Sequence, residues 1–229
     1  MPSRSIGILG AGKLGITLAQ LAIKAGYTVY IAGSESPEKI ALSIEVLVPG
    51  AVVLTKEEVA DRATIIILAL PLGKYKSVPK EHLTGKLVID AMNYWWEVDG
   101  LRDDLTDPRT SSSETVQAHL ADSRVVKAFN HMGYHDLFDE TRPESTPGRK
   151  AIAIAGDRAE DIKIVSSLVN AFGFDPLVIG NLASGIRLEP GSEAFGADEE
   201  IGTLRSIVSR FPTTEKGMEV ARIRGNPSY

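Results

Sequence analysis

Gly10-Ala11-Gly12-Lys13-Leu14-Gly15 says more about this chain than any other stretch of its 229 residues. Before it runs Ser5-Ile6-Gly7-Ile8-Leu9, an apolar segment that reads as a buried strand. After it, Leu14, Leu18, Leu21, Ala22 and Ala25 recur at helical spacing up to a stop at Gly26, and Thr28-Val29-Tyr30-Ile31-Ala32 reads as a second strand. The glycines therefore fall at the turn of a β-α-β unit, in the order G-x-G-x-x-G. There the first permits the tight turn, the second lets backbone approach a pyrophosphate, and the third lets helix and strand pack closely. A glycine-rich turn alone is common in loops. Flanked by strand, helix and strand, it predicts a dinucleotide lying on the positive end of the helix, against the backbone of Ala11, Lys13 and Leu14.

The pattern repeats outward. Ser36-Pro37-Glu38 is a helix start, with a hydroxyl N-cap, proline at the first position and an acid in the first turn. Ala51 to Leu54 reads as a third strand, and Thr55-Lys56-Glu57-Glu58 as a capping box opening another helix. Thr64 to Leu70 has no polar alternation, as a central parallel strand covered on both faces requires. Further strands are expected at 87–90, 125–128, 151–155 and 176–179, with helices at 113–120 and 161–172. Such alternation means an α/β fold, a doubly wound Rossmann sheet extended by extra strands and followed by a short irregular C-terminal segment. The division expected is a nucleotide-binding domain over 1–180 and a small extension over 181–229 that serves the acceptor site or a dimer interface. One helix is expected in that extension, at Glu200 to Arg210. Asn93 to Ser112 and Phe138 to Lys150 read as long loops, the usual seat of function in such folds.

The bulk composition narrows the classes. A chain 43% hydrophobic and 24% charged has an ordinary soluble core, and its net charge of −5 argues against nucleic acid as a partner. With no cysteine, the chain has neither disulfide nor thiolate chemistry. No apolar run reaches membrane-spanning length and the first strand begins almost at residue 1, so neither membrane nor signal peptide is expected, and the location expected is cytoplasmic.

With these residues in view, the chain resembles the NADPH-dependent coenzyme F420 oxidoreductases and their NADP-binding relatives. The resemblance runs through residues 6–15, Leu68-Ala69-Leu70-Pro71, residues 88–95, Val125-Val126-Lys127-Ala128-Phe129-Asn130, and the Arg187-Leu188-Glu189-Pro190-Gly191 segment within 180–191. The glycine motif is common to many families; the asparagine-bearing strand ends and the Arg-Leu-Glu-Pro-Gly segment are more selective. What the resemblance implies is hydride transfer between NADP(H) and a 5-deazaflavin (coenzyme F420) or flavin-like co-substrate, usually in a homodimer. It also implies that Ala69, Leu70 and Pro71 line the nicotinamide ribose, and it puts Ala91, Asn93, Ala128 and Asn130 among the cofactor-binding positions. The alternative for Pro71 is that it merely ends a strand.

Hydride transfer between flat rings demands positioning more than acid–base machinery, which suits a chain without a catalytic triad. Asn93 and Asn130 are placed either to hold the carboxamide or acceptor carbonyls, or simply to form turns. Trp95 and Trp96, beside Tyr94, are either an apolar wall for a tricyclic ring or packing for a loop. His131 stands where the acceptor is expected and is the candidate catalytic residue, as a hydrogen-bond or proton donor to the reduced ring. His135 reads as a surface or capping residue, and neither histidine has partners at metal-ligand spacing, so no metal site is expected. Arg187 suits either an acidic substrate group or a structural salt bridge.

Cofactor choice rests on the end of the second strand, where an NAD enzyme usually carries an acid for the ribose hydroxyls. Here Gly33, Ser34 and Ser36, with Lys39 one turn into the helix, suit the 2′-phosphate of NADP, whereas Glu35 would repel it unless turned outward. NADP is the expected cofactor and NAD the alternative. Two other functions fit these residues. One is an NAD(P)H-dependent reductase of a small imine or carbonyl compound, drawing its proton from His131 or Tyr94. The other is a non-enzymatic nucleotide-sensing module.

Overall fold

In the computed structural model, which describes residues 5–225, Ser5–Leu9 (β1) is buried along its whole length, as a strand covered on both faces must be. β1 pairs in parallel with Thr28–Ala32 (β2) on one side and Ile65–Leu68 (β4) on the other. The sheet continues through Val52–Val53 (β3), Leu87–Asp90 (β5), Arg124–Lys127 (β6), Ala151–Gly156 (β7) and Asp175–Gly180 (β8), in the order β3-β2-β1-β4-β5-β6-β7-β8. Every neighbouring pair is parallel except β6 and β7, which run antiparallel over Val126↔Gly156 and Lys127↔Ala155. This is the doubly wound α/β sheet read from the sequence, extended by two strands. Its order reverses between β1 and β4, so a crevice opens beyond the carboxyl ends of those strands.

The helices supply the two covering layers. On one face Lys13–Lys24 (α1), Pro37–Leu47 (α2) and Ala159–Ala171 (α8) bury Leu18, Leu21, Ile44, Val165 and Leu168 against Ile6, Ile8, Ile31 and Ile154. The other face is covered by Lys56–Arg62 (α3) and Ser112–His119 (α6), through Val59, Ala60 and Val116. Both of these helices begin with complete capping boxes, Thr55 with Glu58 and Ser111 with Glu114.

Several elements had no readable signal. The segment after Asn93 holds two single-turn helices, Trp96–Asp99 (α4) and Asp103–Thr106 (α5), and Tyr134–Asp139 (α7) precedes the next loop. Helices this short have too few residues to display a period. After β8 come a 3-10 segment, Leu182–Leu188, the expected Ile201–Arg210 (α9) and Glu215–Arg224 (α10). α9 packs Leu204, Ile207 and Val208 onto Ala151, Ala153 and Leu177, on the face opposite α8. α10 was obscured by its polar composition and by Gly217, where any side chain would collide with the Phe211 carbonyl. Residues 1–4 and 226–229, the ends of the two expected domains, lie outside the described residues. Among the described residues no helix is long and apolar enough to cross a membrane.

Candidate functional site

The three glycines of the turn are required for three different reasons. Gly10 has φ +125°, and a Cβ there would lie 2.2 Å from the Ala69 carbonyl oxygen, so the turn between β1 and α1 closes only without a side chain. At Gly15 a Cβ would meet the Gly10 carbonyl oxygen at 1.8 Å, which fixes how closely α1 approaches the strand end. Gly12 differs: its φ of −82° suits any residue and its Cβ would meet nothing within 4 Å. The space a side chain would fill there opens in front of the N-terminus of α1, whose first-turn N–H groups have no acceptor within the helix. That is the cradle a pyrophosphate needs, and the residues fit a dinucleotide.

A cleft of about 360 Å³ extends from this cradle across the switch point. Gly10, Ala11 and Gly12 form one wall, Gly33 and Ser34 the end of β2, and Ala69, Leu70 and Pro71 the end of β4. These residues were expected together, and the fold brings them together. The remaining lining was not expected: Leu9 at the end of β1, Ile40 from α2, Lys56 from the start of α3, and Lys74, Ser77 and Val78 from the Leu72–Ser77 3-10 turn and the residue after it. Lys56 opens α3 after Leu54 and Thr55, just past β3, the strand next to β2; in the sequence it showed only as part of the Thr55–Glu58 capping box.

Three expected cofactor-binding residues lie off this lining. Glu35, Ser36 and Lys39 are exposed, and Glu35 is ion-paired with Lys39 one helical turn away, so its carboxylate is neutralised outside the cleft. Ser36 occupies the N-cap position of α2 without a side-chain capping bond. In the turn itself, the Lys13 side chain is exposed and donates to the Tyr134 hydroxyl at 3.0 Å, a bond that raises its pKa, while Leu14 is half-buried against the core.

The ends of β5 and β6 are built as one unit. Ala91 and Ala128 are fully buried core residues with no surface to offer a cofactor, which corrects their expected role. Asn93 Nδ2 donates to the Asn130 carbonyl at 2.7 Å, and Asn130 Nδ2 donates to Asn93 Oδ1 at 3.1 Å and to the Leu188 carbonyl at 2.8 Å. The two asparagines clamp adjacent strand ends to each other and to the C-terminal segment. Phe129, buried against Phe172 at a ring separation of 5.5 Å, takes the left-handed conformation with φ +64° where β6 ends, a strain the surrounding packing holds. Beneath them Lys127 and Asp90 form a fully buried ion pair at 3.2 Å. Lys127 Nζ also donates to the Met92 carbonyl at 2.8 Å and Ser112 Oγ at 3.3 Å, and Asp90 accepts from Ser113 Oγ at 2.6 Å and Met92 N at 2.9 Å.

His131 is the main correction. It is 1% exposed, its Nε2 accepts from Ala153 N at 3.0 Å, and its carbonyl accepts from Gly196 N at 2.6 Å. Burial pushes its pKa down to about 4, against an opposing pull from the backbone of Ala197 and Ala194. It is a buried residue joining β7 to the C-terminal segment, and it does not line the cleft. Tyr94 is also engaged, donating to the Gly100 carbonyl at 2.7 Å and accepting from Arg102 N. His135 is exposed beside the Tyr134 ring. Arg187 lines a separate groove of about 440 Å³ along β8, with Arg205 and Ser209, and no residue of that groove belongs to the cleft. Trp95 and Trp96 are 47% and 61% exposed, and Trp95 meets Phe195 edge-to-face at 5.4 Å, an aromatic wall beside the asparagine clamp. Among the described residues no three histidine or carboxylate side chains gather as a metal site would require.

Comparison with known proteins bears out the resemblance. Residues 5–94 match the family model described as NADP oxidoreductase coenzyme F420-dependent. The chain is similar to metalloreductase STEAP3 of Rattus norvegicus, 30% identical over 186 residues, which are 80% of this chain and 35% of that protein. It is 36% identical over 88 residues to protein YjhV of Escherichia coli (strain K12), covering 38% of this chain and 62% of that one. The chain thus spans about a third of the first curated relative and less than two thirds of the second. Among solved structures, a candidate F420-dependent NADP reductase from Arthrobacter sp. FB24 superimposes with a TM-score of 0.67 at 18% identity, covering 98% of this chain and 96% of that one. The hypothetical protein SMa0349 from Sinorhizobium meliloti superimposes with a TM-score of 0.74 at 24% identity, covering 85% and 94%. At these identities the structural likeness establishes the fold.

Proposed function

We propose, from the match of residues 5–94 to the model described as NADP oxidoreductase coenzyme F420-dependent, that this chain passes hydride between NADP(H) and a flat deazaflavin or flavin-like acceptor. The observation that carries the reading is the open space in front of Gly12, continuous with a cleft at the topological switch point. When bound, NADPH supplies a hydride, and the acceptor takes that hydride together with a proton from water. The chain's own part is positional. Backbone N–H groups at the start of α1 would hold the pyrophosphate, Ala69 to Pro71 would support the nicotinamide ribose, and the Asn93–Asn130 clamp would fix the floor beneath the rings.

Two features favour a ring-shaped acceptor over a small imine or carbonyl compound. Trp95 and Phe195 present an apolar wall beside the clamp, which suits stacking of an extended ring. Reduction of a small carbonyl compound would need a positioned acid, and both proton donors the sequence offered, His131 and Tyr94, are bonded to backbone. The segment after residue 180 would then close the acceptor side through Phe195.

The test is NADPH oxidation by the purified chain against coenzyme F420, FMN, FAD and a panel of small imines and carbonyl compounds. Turnover with F420 or a flavin supports the reading. Turnover confined to the imine or carbonyl panel would replace it, and NADPH binding without turnover on any acceptor would favour a nucleotide sensor.

A further inference from the structure

We infer that the 2′-phosphate of the cofactor is recognised by Lys56 and Lys74, from the far wall of the cleft, and not by the charged loop that follows β2. This inference rests on the dinucleotide reading above. In a doubly wound fold the adenosine ribose lies at the end of β2, which here is Gly33-Ser34. A phosphomonoester there brings nearly two negative charges and strong acceptor oxygens, so a protein that selects it must answer with cations and donors.

The loop after β2 does not provide the cation. Its lysine, Lys39, is paired with Glu35, so the two contribute no net charge, and neither lines the cleft. The opposite wall does provide it. Lys56 and Lys74 both line the cavity, and among the described residues no carboxylate does, so two positive charges there have no carboxylate in the lining to offset them. Lys56 makes only long contacts, 3.4 Å from Nζ to the carbonyl and to Oγ of Ser77. Lys74 is exposed, its backbone N–H donates to the Pro71 carbonyl at 2.9 Å, and among the described residues its ammonium has neither an ion pair nor a hydrogen bond. Lys56 begins α3, separated from the end of β3 by Leu54 and Thr55; β3 is the strand paired with β2, so Lys56 stands on the same edge as the ribose position. Ser34, after β2, and Ser77, beside Lys56, also line the cavity and add hydroxyl groups to the set.

The experiment is calorimetric titration of NADPH and NADH into the full chain and into Lys56→Gln, Lys74→Gln, the double variant and Lys39→Gln. The native chain should prefer NADPH. The double variant should lose about tenfold or more in NADPH affinity, the effect of removing charge-assisted contacts, while NADH affinity stays within about twofold. Lys39→Gln should leave the NADPH to NADH ratio where it was. An unchanged ratio in the double variant would overturn the assignment, and so would equal losses for both cofactors, which would put the lysines on the pyrophosphate. Either result leaves the dinucleotide reading standing. Failure of the native chain to bind either cofactor would instead remove that reading, and this inference with it.

Discussion

Asn93 and Asn130 hold each other across the ends of two adjacent strands, each side chain donating to an oxygen of the other residue at 2.7 Å and 3.1 Å. Asn130 is 3% exposed and carries the further bond to the Leu188 carbonyl, so one side chain joins β5, β6 and the C-terminal segment. Asn130→Ala removes two bonds and leaves a buried carbonyl without its donor, which should cost about 2–4 kcal/mol in urea unfolding. Asn93→Ala, at a half-buried position, should cost less. Equal and negligible effects would mean that the clamp contributes nothing to the floor of the site.

The Lys127–Asp90 pair should behave as a unit. Both side chains are fully buried, with their bonding groups shared among Met92, Ser112 and Ser113. Lys127→Met leaves an uncompensated carboxylate in the core and should destabilise the chain by about 3–5 kcal/mol. Combining it with Asp90→Asn should recover a substantial part of that loss. A double-mutant cycle in denaturant measures the coupling, and additive effects would rule the pair out as a unit.

His131 makes stability depend on pH. Its folded pKa of about 4 lies below the ordinary 6.5, so between those values the unfolded chain binds a proton that the folded chain does not. Stability therefore falls as pH drops through this window, by about 1.4 kcal/mol per pH unit and about 3 kcal/mol in all. His131→Gln keeps an acceptor for Ala153 N and should flatten the stability profile between pH 5 and 6.5. Turnover of the folded variant near neutral pH should remain within about twofold of the native chain. A large fall in kcat with unchanged stability would restore His131 to the reaction.

What could be read from the sequence follows from what is local. The β1–α1–β2 unit was legible because Ile6, Ile8, Leu18 and Ile31 declare their burial by spacing, and Gly10, Gly12 and Gly15 declare the turn between them. Lys56 was visible only as part of a capping box, since its place on the cleft wall depends on β3 lying beside β2. His131 could be placed beyond β6 but not beneath the 194–197 segment, because that cover comes from residues more than sixty positions away. For the same reason Glu35 read as a threat to a phosphate: the sequence contains Lys39 but does not show the two side chains turned to one another.

The central claim is that a dinucleotide lies in the space before Gly12, and the most direct test is NADPH titration into folded Gly12→Val. At φ −82° and ψ −173° the valine backbone is unstrained and its Cβ meets no protein atom within 4 Å. The variant should therefore fold and melt close to the native chain. Its branched side chain would occupy the pyrophosphate cradle, and NADPH affinity should fall by about a hundredfold or more. Native affinity in the folded variant would contradict the account.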